Sequence, residues 1–265
     1  MELFDTHCHV DLDAFTPDRA IVLESARDAG VRQILVPAVT ADRWPSLLQL
    51  CAQERGLYPA LGLHPLYLAQ HTARDISSLE EQVRQNRPVA IGECGLDFFD
   101  KNLDRKRQIQ LFRVHLELAE AVRLPLVLHV RKGHHEVLAM LNEYSLQGGI
   151  CHAFNGDMSQ AGKYIDQGFK LGFGGTLTYP NAVKIHKLAR ALPPEAMVLE
   201  TDAPDMSLHP QRSERNEPKY LRSIAGVLAK LKNMETTELA KITTDNARVV
   251  LAIHASTQRR AGNRP

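Results

Sequence analysis

The chain reads as an α/β protein, a (β/α)8 TIM barrel with extra C-terminal helices. Three features carry this reading. Eight short β-rich runs occur at residues 3–5, 34–37, 58–61, 89–92, 126–129, 149–152, 169–172 and 197–200. They are apolar with little alternation, as parallel strands covered on both faces must be. Helical patterns separate them, and histidines or carboxylates stand at the ends of six runs: His7 and His9, His64, Glu93, His129, His152 and Asp202. Barrel enzymes gather their chemistry at the C-terminal strand ends. A doubly wound open sheet, the alternative, would gather it at one switch point.

The elements follow in order. The first run starts at Leu3, and a helix over residues 20–29 stops at Gly30, a good C-terminal signal. Pro59 counts against the third run, because proline cannot donate to a ladder. The longest helix spans residues 103–124, with Ile109, Phe112, Leu116 and Ala119 on one stripe and Pro125 opening the next strand. A helix over residues 158–167 stops at Gly168, and residues 218–231 and 237–253 form the C-terminal helical part. With no repeat and no linker, one barrel covers residues 1–255. The basic stretch 256–265 reads as a disordered tail.

Composition bounds the function. A chain of 265 residues is long enough for a closed core, and 44% hydrophobic with 24% charged residues is ordinary for a soluble globular protein. No apolar stretch approaches the roughly 18 residues of a membrane span. The acidic start, Met1-Glu2-Leu3-Phe4-Asp5, is unlike a signal peptide, so a cytoplasmic location is expected. A net charge of +1 excludes gripping duplex DNA by charge alone. The four cysteines, Cys8, Cys51, Cys94 and Cys151, have neither zinc-type nor redox-type spacing and read as reduced buried thiols.

His7 and His9 are two apart at a strand end, so both imidazoles face one side. Asp5 before them is either an acceptor that fixes an imidazole or a strand-end cap. Glu93 lies between Gly92 and Gly95, where backbone can approach a ligand closely. A carboxylate there is costly unless paired or bound to metal, and its two oxygens can bridge two ions. With His129, His152 and Asp202 the donor set is nitrogen and oxygen without sulfur. It suits Mn²⁺, Co²⁺, Zn²⁺, Ni²⁺ or Mg²⁺. Arg131 and Lys132 follow His129 and read either as phosphate contacts or as a solvated turn. Gly174 and Gly175 read either as a backbone phosphate cradle or as a tight turn. Phe98, Phe154 and Tyr179 could stack bases or fill the core.

Taken in order, the motifs Asp5-Thr6-His7-Cys8-His9, Gly62-Leu63-His64-Pro65, Gly92-Glu93-Cys94-Gly95-Leu96-Asp97, His129, His152, Glu200-Thr201-Asp202-Ala203-Pro204 and Arg215-Asn216-Glu217-Pro218 resemble the TatD family of metal-dependent deoxyribonucleases, within the amidohydrolase-like barrels. The resemblance runs from Asp5 to about Leu251. It implies two divalent ions per chain, one held by His7, His9, Glu93 and Asp202, the other by Glu93, His129 and His152, with Glu93 as bridge. It implies His64 near a substrate phosphate, and Asp202 as general base as well as ligand. The implied reaction is attack of a metal-activated water on a DNA phosphodiester, with single strands or frayed ends as substrate and no obligate protein partner. The segment Ala203-Pro204-Asp205-Met206 resembles the subgroup described as metal-dependent hydrolases. Two rivals follow: hydrolysis of carboxylic, lactone or aminoacyl esters on the same barrel, and a non-catalytic metal-binding module.

Overall fold

The computed structural model describes residues 1–211 and 214–253. Eight strands pair in parallel in chain order: β1 (Leu3–Asp5), β2 (Val31–Pro37), β3 (Leu57–Leu61), β4 (Ala90–Asp97), β5 (Leu126–Arg131), β6 (Gly149–Cys151), β7 (Phe169–Phe173) and β8 (Met197–Leu199). The sheet closes where the chain past β1 meets the chain past β8. Thr6 N–H donates to Leu199 O (3.0 Å), Asp202 N–H to His7 O (2.8 Å) and His9 N–H to Ala203 O (2.8 Å). The helices are α1 (Arg19–Asp28), α2 (Trp44–Gln53), α3 (Ala73–Asn86), α4 (Arg105–Val122), α5 (His134–Leu141), α6 (Met158–Asp166), α7 (Val183–Ala191), α8 (Leu221–Lys232) and α9 (Thr236–Val250). Among the described residues, no helix is long and apolar enough to cross a membrane. The tail expected at residues 256–265 lies outside the described residues.

Both faces of the strands are buried, which explains runs without alternation. Phe4, Leu35, Ala60, Ala90, Val127, Ile150 and Val198 form one cluster with Ala247, Leu251 and Ile253. Residues from so many different strands can meet only inside the closed barrel, and the end of α9 plugs its lower mouth. The opposite faces, including Leu3, Val36, Leu128 and Leu171, join Phe112, Leu116 and Leu228 of the helices in the larger cluster.

Side chains two apart share a face. The inward stripe of β5 therefore runs from Val127 through His129 to Arg131, and that of β6 from Ile150 to His152. Past β8 the stripe continues from Val198 to Glu200. Apolar residues fill the barrel below, and the same stripes end in polar groups above.

The third strand forms as expected despite its proline, and the fourth departs from expectation. Pro59 is accommodated in β3, paired with Val36. Its carbonyl accepts from Val89 N (3.0 Å), just before β4 begins, so the missing N–H falls at the edge of the β3–β4 ladder. β4 is longer than the run at 89–92 indicated, so Glu93 lies within a strand, not at its end. The β4–β5 register shifts between Ile91 and Cys94, a bulge that re-aims a side chain. A Cβ on Gly92 would stand 2.6 Å from Val127 O, and one on Gly95 2.1 Å from His129 O. These glycines serve close approach of β4 to β5.

Candidate metal centre

Seven side chains converge at the upper mouth: His7 and His9 past β1, His64 past β3, Glu93 on β4, His129 on β5, His152 past β6 and Asp202 past β8. The carboxylate of Glu93 divides them. Its Oε2 lies 3.0 Å from His7 Nε2 and 3.5 Å from His9 Nε2. Asp202 Oδ1 stands 3.6 Å from the same two nitrogens. The other oxygen, Oε1, lies 3.1 Å from His152 Nε2, 3.2 Å from His129 Nδ1 and 3.2 Å from His64 Nε2.

The donor chemistry fits divalent ions. His7 Nε2 faces His9 Nε2 at 3.2 Å, and His129 Nδ1 faces His152 Nε2 at 3.3 Å. A neutral imidazole has a single N–H, so lone pairs crowd together around one carboxylate. Separations of 3.0–3.6 Å suit donors sharing an ion at about 2.1 Å. The buried Nδ1 atoms of His7 and His152 have no hydrogen-bond partner. Sulfur takes no part. Cys8, Cys94 and Cys151 are buried, and burial raises each thiol pKa, leaving no ready thiolate.

Partners beneath the cluster sort the imidazoles. His9 Nδ1 donates to Pro37 O (3.1 Å), which leaves the Nε2 lone pair for a metal. His129 Nε2 donates to Asp97 Oδ2 (3.0 Å), which leaves Nδ1. His64 is the opposite case. Its Nδ1 accepts from Leu66 N (3.0 Å), so the neutral ring carries its proton on Nε2 and points a donor at Glu93 Oε1. Burial lowers the His64 pKa to about 4, which keeps that ring neutral.

Asp5 is buried and touches no imidazole in this set. It accepts from Thr201 N (2.9 Å), Thr201 Oγ1 (2.6 Å) and His7 N (3.3 Å). Of its two readings, the strand-end cap is the one seen: it ties β1 to the segment after β8. Burial pushes its pKa up to about 8 against these donors. Burial also raises Asp202, to about 6. Burial opposes the charge on Glu93 too, but His7, His64 and His152 hold its pKa well below the usual range.

Two carboxylates were not singled out from sequence. Asp97 accepts from His129 on one oxygen and from Phe99 N (2.9 Å) and Asp100 N (3.3 Å) on the other. Gln108 of α4 clamps its backbone on both sides, at 2.8 Å each. Glu200 is fully buried beneath His152, with Oε1 accepting from Ala153 N (2.6 Å) and lying 3.7 Å from His152 Nδ1. Even spacing was the available signal: Asp97 is four past Glu93, and Glu200 is two past the inward Val198.

A cavity of about 970 Å³ opens over the cluster, lined by His129, His152 and Asp202 together with Arg131, Lys132 and Lys184. Gly174 and Gly175 are not among its lining residues, and packing accounts for both. A Cβ on Gly174 would stand 3.2 Å from Glu200 O, and one on Gly175 2.2 Å from Met206 O. Phe98 and Phe154 are core residues, 5% and 1% exposed.

The family model described as TatD related DNase matches residues 4–252. The chain belongs to the TatD family. Its relatives include the metal-dependent hydrolase YjjV of Escherichia coli K12, 37% identical over 91% of this chain and 95% of the relative. Another is YabD of Bacillus subtilis 168, 33% identical over 95% and 100%. The crystal structure of the TatD homologue YjjV superposes with a TM-score of 0.91 at 34% identity, covering 95% of this chain and 98% of that one. A more distant likeness, to the phosphotriesterase homology protein of Escherichia coli, has a TM-score of 0.66 at 13% identity and reflects the shared fold alone. As a TatD-family protein this chain thus carries the barrel with its polar mouth assembled from six of the eight strands.

Proposed function

We propose that this TatD-family metal-dependent hydrolase holds two divalent ions and cleaves phosphodiester bonds of DNA, with single strands or frayed ends as substrate. The supporting observation is the division of Glu93: one oxygen faces His7 and His9, the other His129 and His152. A carboxylate so placed suits a bridge between two ions. Such ions, when bound, supply Lewis-acid charge to water and to phosphoryl oxygens.

The chain's own groups supply the rest. Asp202 lines the cavity beside His7 and His9, where its carboxylate can take a proton from the attacking water. The water oxygen forms the new bond to phosphorus, the bond from phosphorus to the leaving sugar oxygen breaks, and that oxygen takes up a proton from solvent to leave as a hydroxyl. His64 Nε2–H faces Glu93 Oε1 at 3.2 Å and helps to hold that carboxylate in position. Arg131 and Lys132 bring positive charge to the cavity wall. With a net charge of only +1, grip is local, which favours flexible single strands over intact duplex.

The test is cleavage of a 5′-labelled single-stranded oligonucleotide by metal-stripped protein reloaded with Mn²⁺, Co²⁺, Zn²⁺ or Mg²⁺. Asp202→Asn is the control. A metal-dependent ladder, absent in the variant, is expected. Bound metal without cleavage by any ion would overturn the nuclease reading and turn attention to carboxylic or aminoacyl esters.

A further inference from the structure

Of the phenylalanine, tyrosine and tryptophan rings among the described residues, only Phe99 is exposed, at 54%. It does not sit on an arbitrary surface. It lines the cavity that holds His129, His152 and Asp202, and so does Leu66, another exposed apolar side chain. The Arg131 guanidinium lies over the Phe99 ring, 3.8 Å from its centroid. Arg131 is two residues past His129 on β5, so the pair stands about 7 Å along the strand from that histidine.

The ring is also fixed in place. Phe99 N donates to Asp97 Oδ1 (2.9 Å), while Asp97 Oδ2 takes His129 Nε2 (3.0 Å). Phe98 N donates to Arg131 O (2.7 Å). One carboxylate thus holds both an imidazole of the cluster and the backbone of an exposed aromatic. Burying Phe99 would have removed apolar area from water, as its neighbour Phe98 does. Its open position on the wall of a polar cavity calls for a ligand.

We propose that Phe99, backed by Arg131, is a stacking platform for a nucleobase of the nucleotide adjoining the phosphate at the metal centre. The proposal rests on the phosphodiester reading above and adds a recognition element to it. Aromatic rings with neighbouring cations are how proteins hold single strands without reading sequence, since every base has a π face. Stacking needs an unpaired base, so the platform would select single strands or frayed ends.

The experiment has two readouts on the full metal-loaded protein. In kinetics, Phe99→Ala should lower kcat/KM on a single-stranded oligonucleotide about tenfold, within the range one stacked base supplies. Phe99→Trp should restore it. On an oligonucleotide whose terminal units are abasic, wild type and Phe99→Ala should be equal. In binding, an oligonucleotide carrying 2-aminopurine should be quenched by protein in the Asp202→Asn background. Adding Phe99→Ala should abolish the quenching. Unchanged kcat/KM in Phe99→Ala, or the same deficit on abasic substrate, would overturn the platform. If no oligonucleotide is cleaved with any metal, quenching decides. Quenching that depends on Phe99 keeps the platform while the nuclease reading falls, and its absence overturns both.

Discussion

His129 Nε2 stands 3.0 Å from Asp97 Oδ2, and this contact fixes which nitrogen of His129 faces Glu93. Asp97 is fully buried and uses both oxygens, since Oδ1 takes the Phe99 and Asp100 N–H groups. An asparagine can accept on one side only and must turn an NH₂ toward a donor on the other. Asp97→Asn should therefore weaken metal binding by roughly 10–100-fold, the usual effect of removing a ligand's hydrogen-bond partner. Titration against a chelator of known affinity measures this. Unaltered affinity would show that His129 is oriented by packing alone.

Among the described residues, Glu93 lies 3.0 Å from His7 and 3.1 Å from His152 through different oxygens. Glu93→Gln keeps the shape and replaces one acceptor with a donor. On the proposed two-ion reading, metal content by elemental analysis should fall from two ions per chain to one or fewer. Two ions retained at full occupancy would show that the bridge is dispensable.

Much of this was legible in the sequence because barrel strands announce themselves twice. Runs such as Leu126-Val127-Leu128 are apolar on both faces, and the residue that follows on the inward stripe, His129, is polar. What escaped depends on contacts between distant segments. Glu93 was placed at a strand end because nothing local shows that β4 continues to Asp97 through a bulge. Gly174 and Gly175 suggested an anion cradle, yet Glu200 and Met206 crowd them from across the barrel. Phe98 and Phe99 are indistinguishable by type, and only burial separates them: Phe98 is packed in the core, whereas Phe99 is exposed on the cavity wall.

His115 on α4 supports the site from outside the barrel. It accepts from Leu63 N (3.0 Å) on Nε2 and donates to Leu111 O (2.8 Å) from Nδ1, so the neutral ring is fully used. Burial lowers its pKa from 6.5 to about 4. Between pH 6.5 and 4 the unfolded chain binds the extra proton and the folded chain does not. Stability from this group is thus complete above pH 6.5 and is lost as pH falls toward 4, by about 3 kcal/mol at most. Urea unfolding of wild type and His115→Gln across this window isolates the effect as the difference between the two profiles. Parallel profiles would mean that His115 does not titrate differently on folding.

Gly172 of β7 exists for the carboxylate of Glu200. A Cβ there would lie 2.1 Å from Glu200 Oε2. That carboxylate has little freedom to retreat, being fully buried and holding Ala153 N at 2.6 Å. Gly172→Ala should cost about 1–3 kcal/mol of stability by overpacking. Because Ala153 directly follows His152, the displacement should reach the metal centre as well. The expected outcome is a lowered urea midpoint together with weaker metal binding, both relieved by adding Glu200→Ala to make room. Relief of stability without relief of metal binding would show that the Glu200 carboxylate itself is needed to orient His152, and a Gly172→Ala protein with wild-type stability would show that Glu200 can move aside after all.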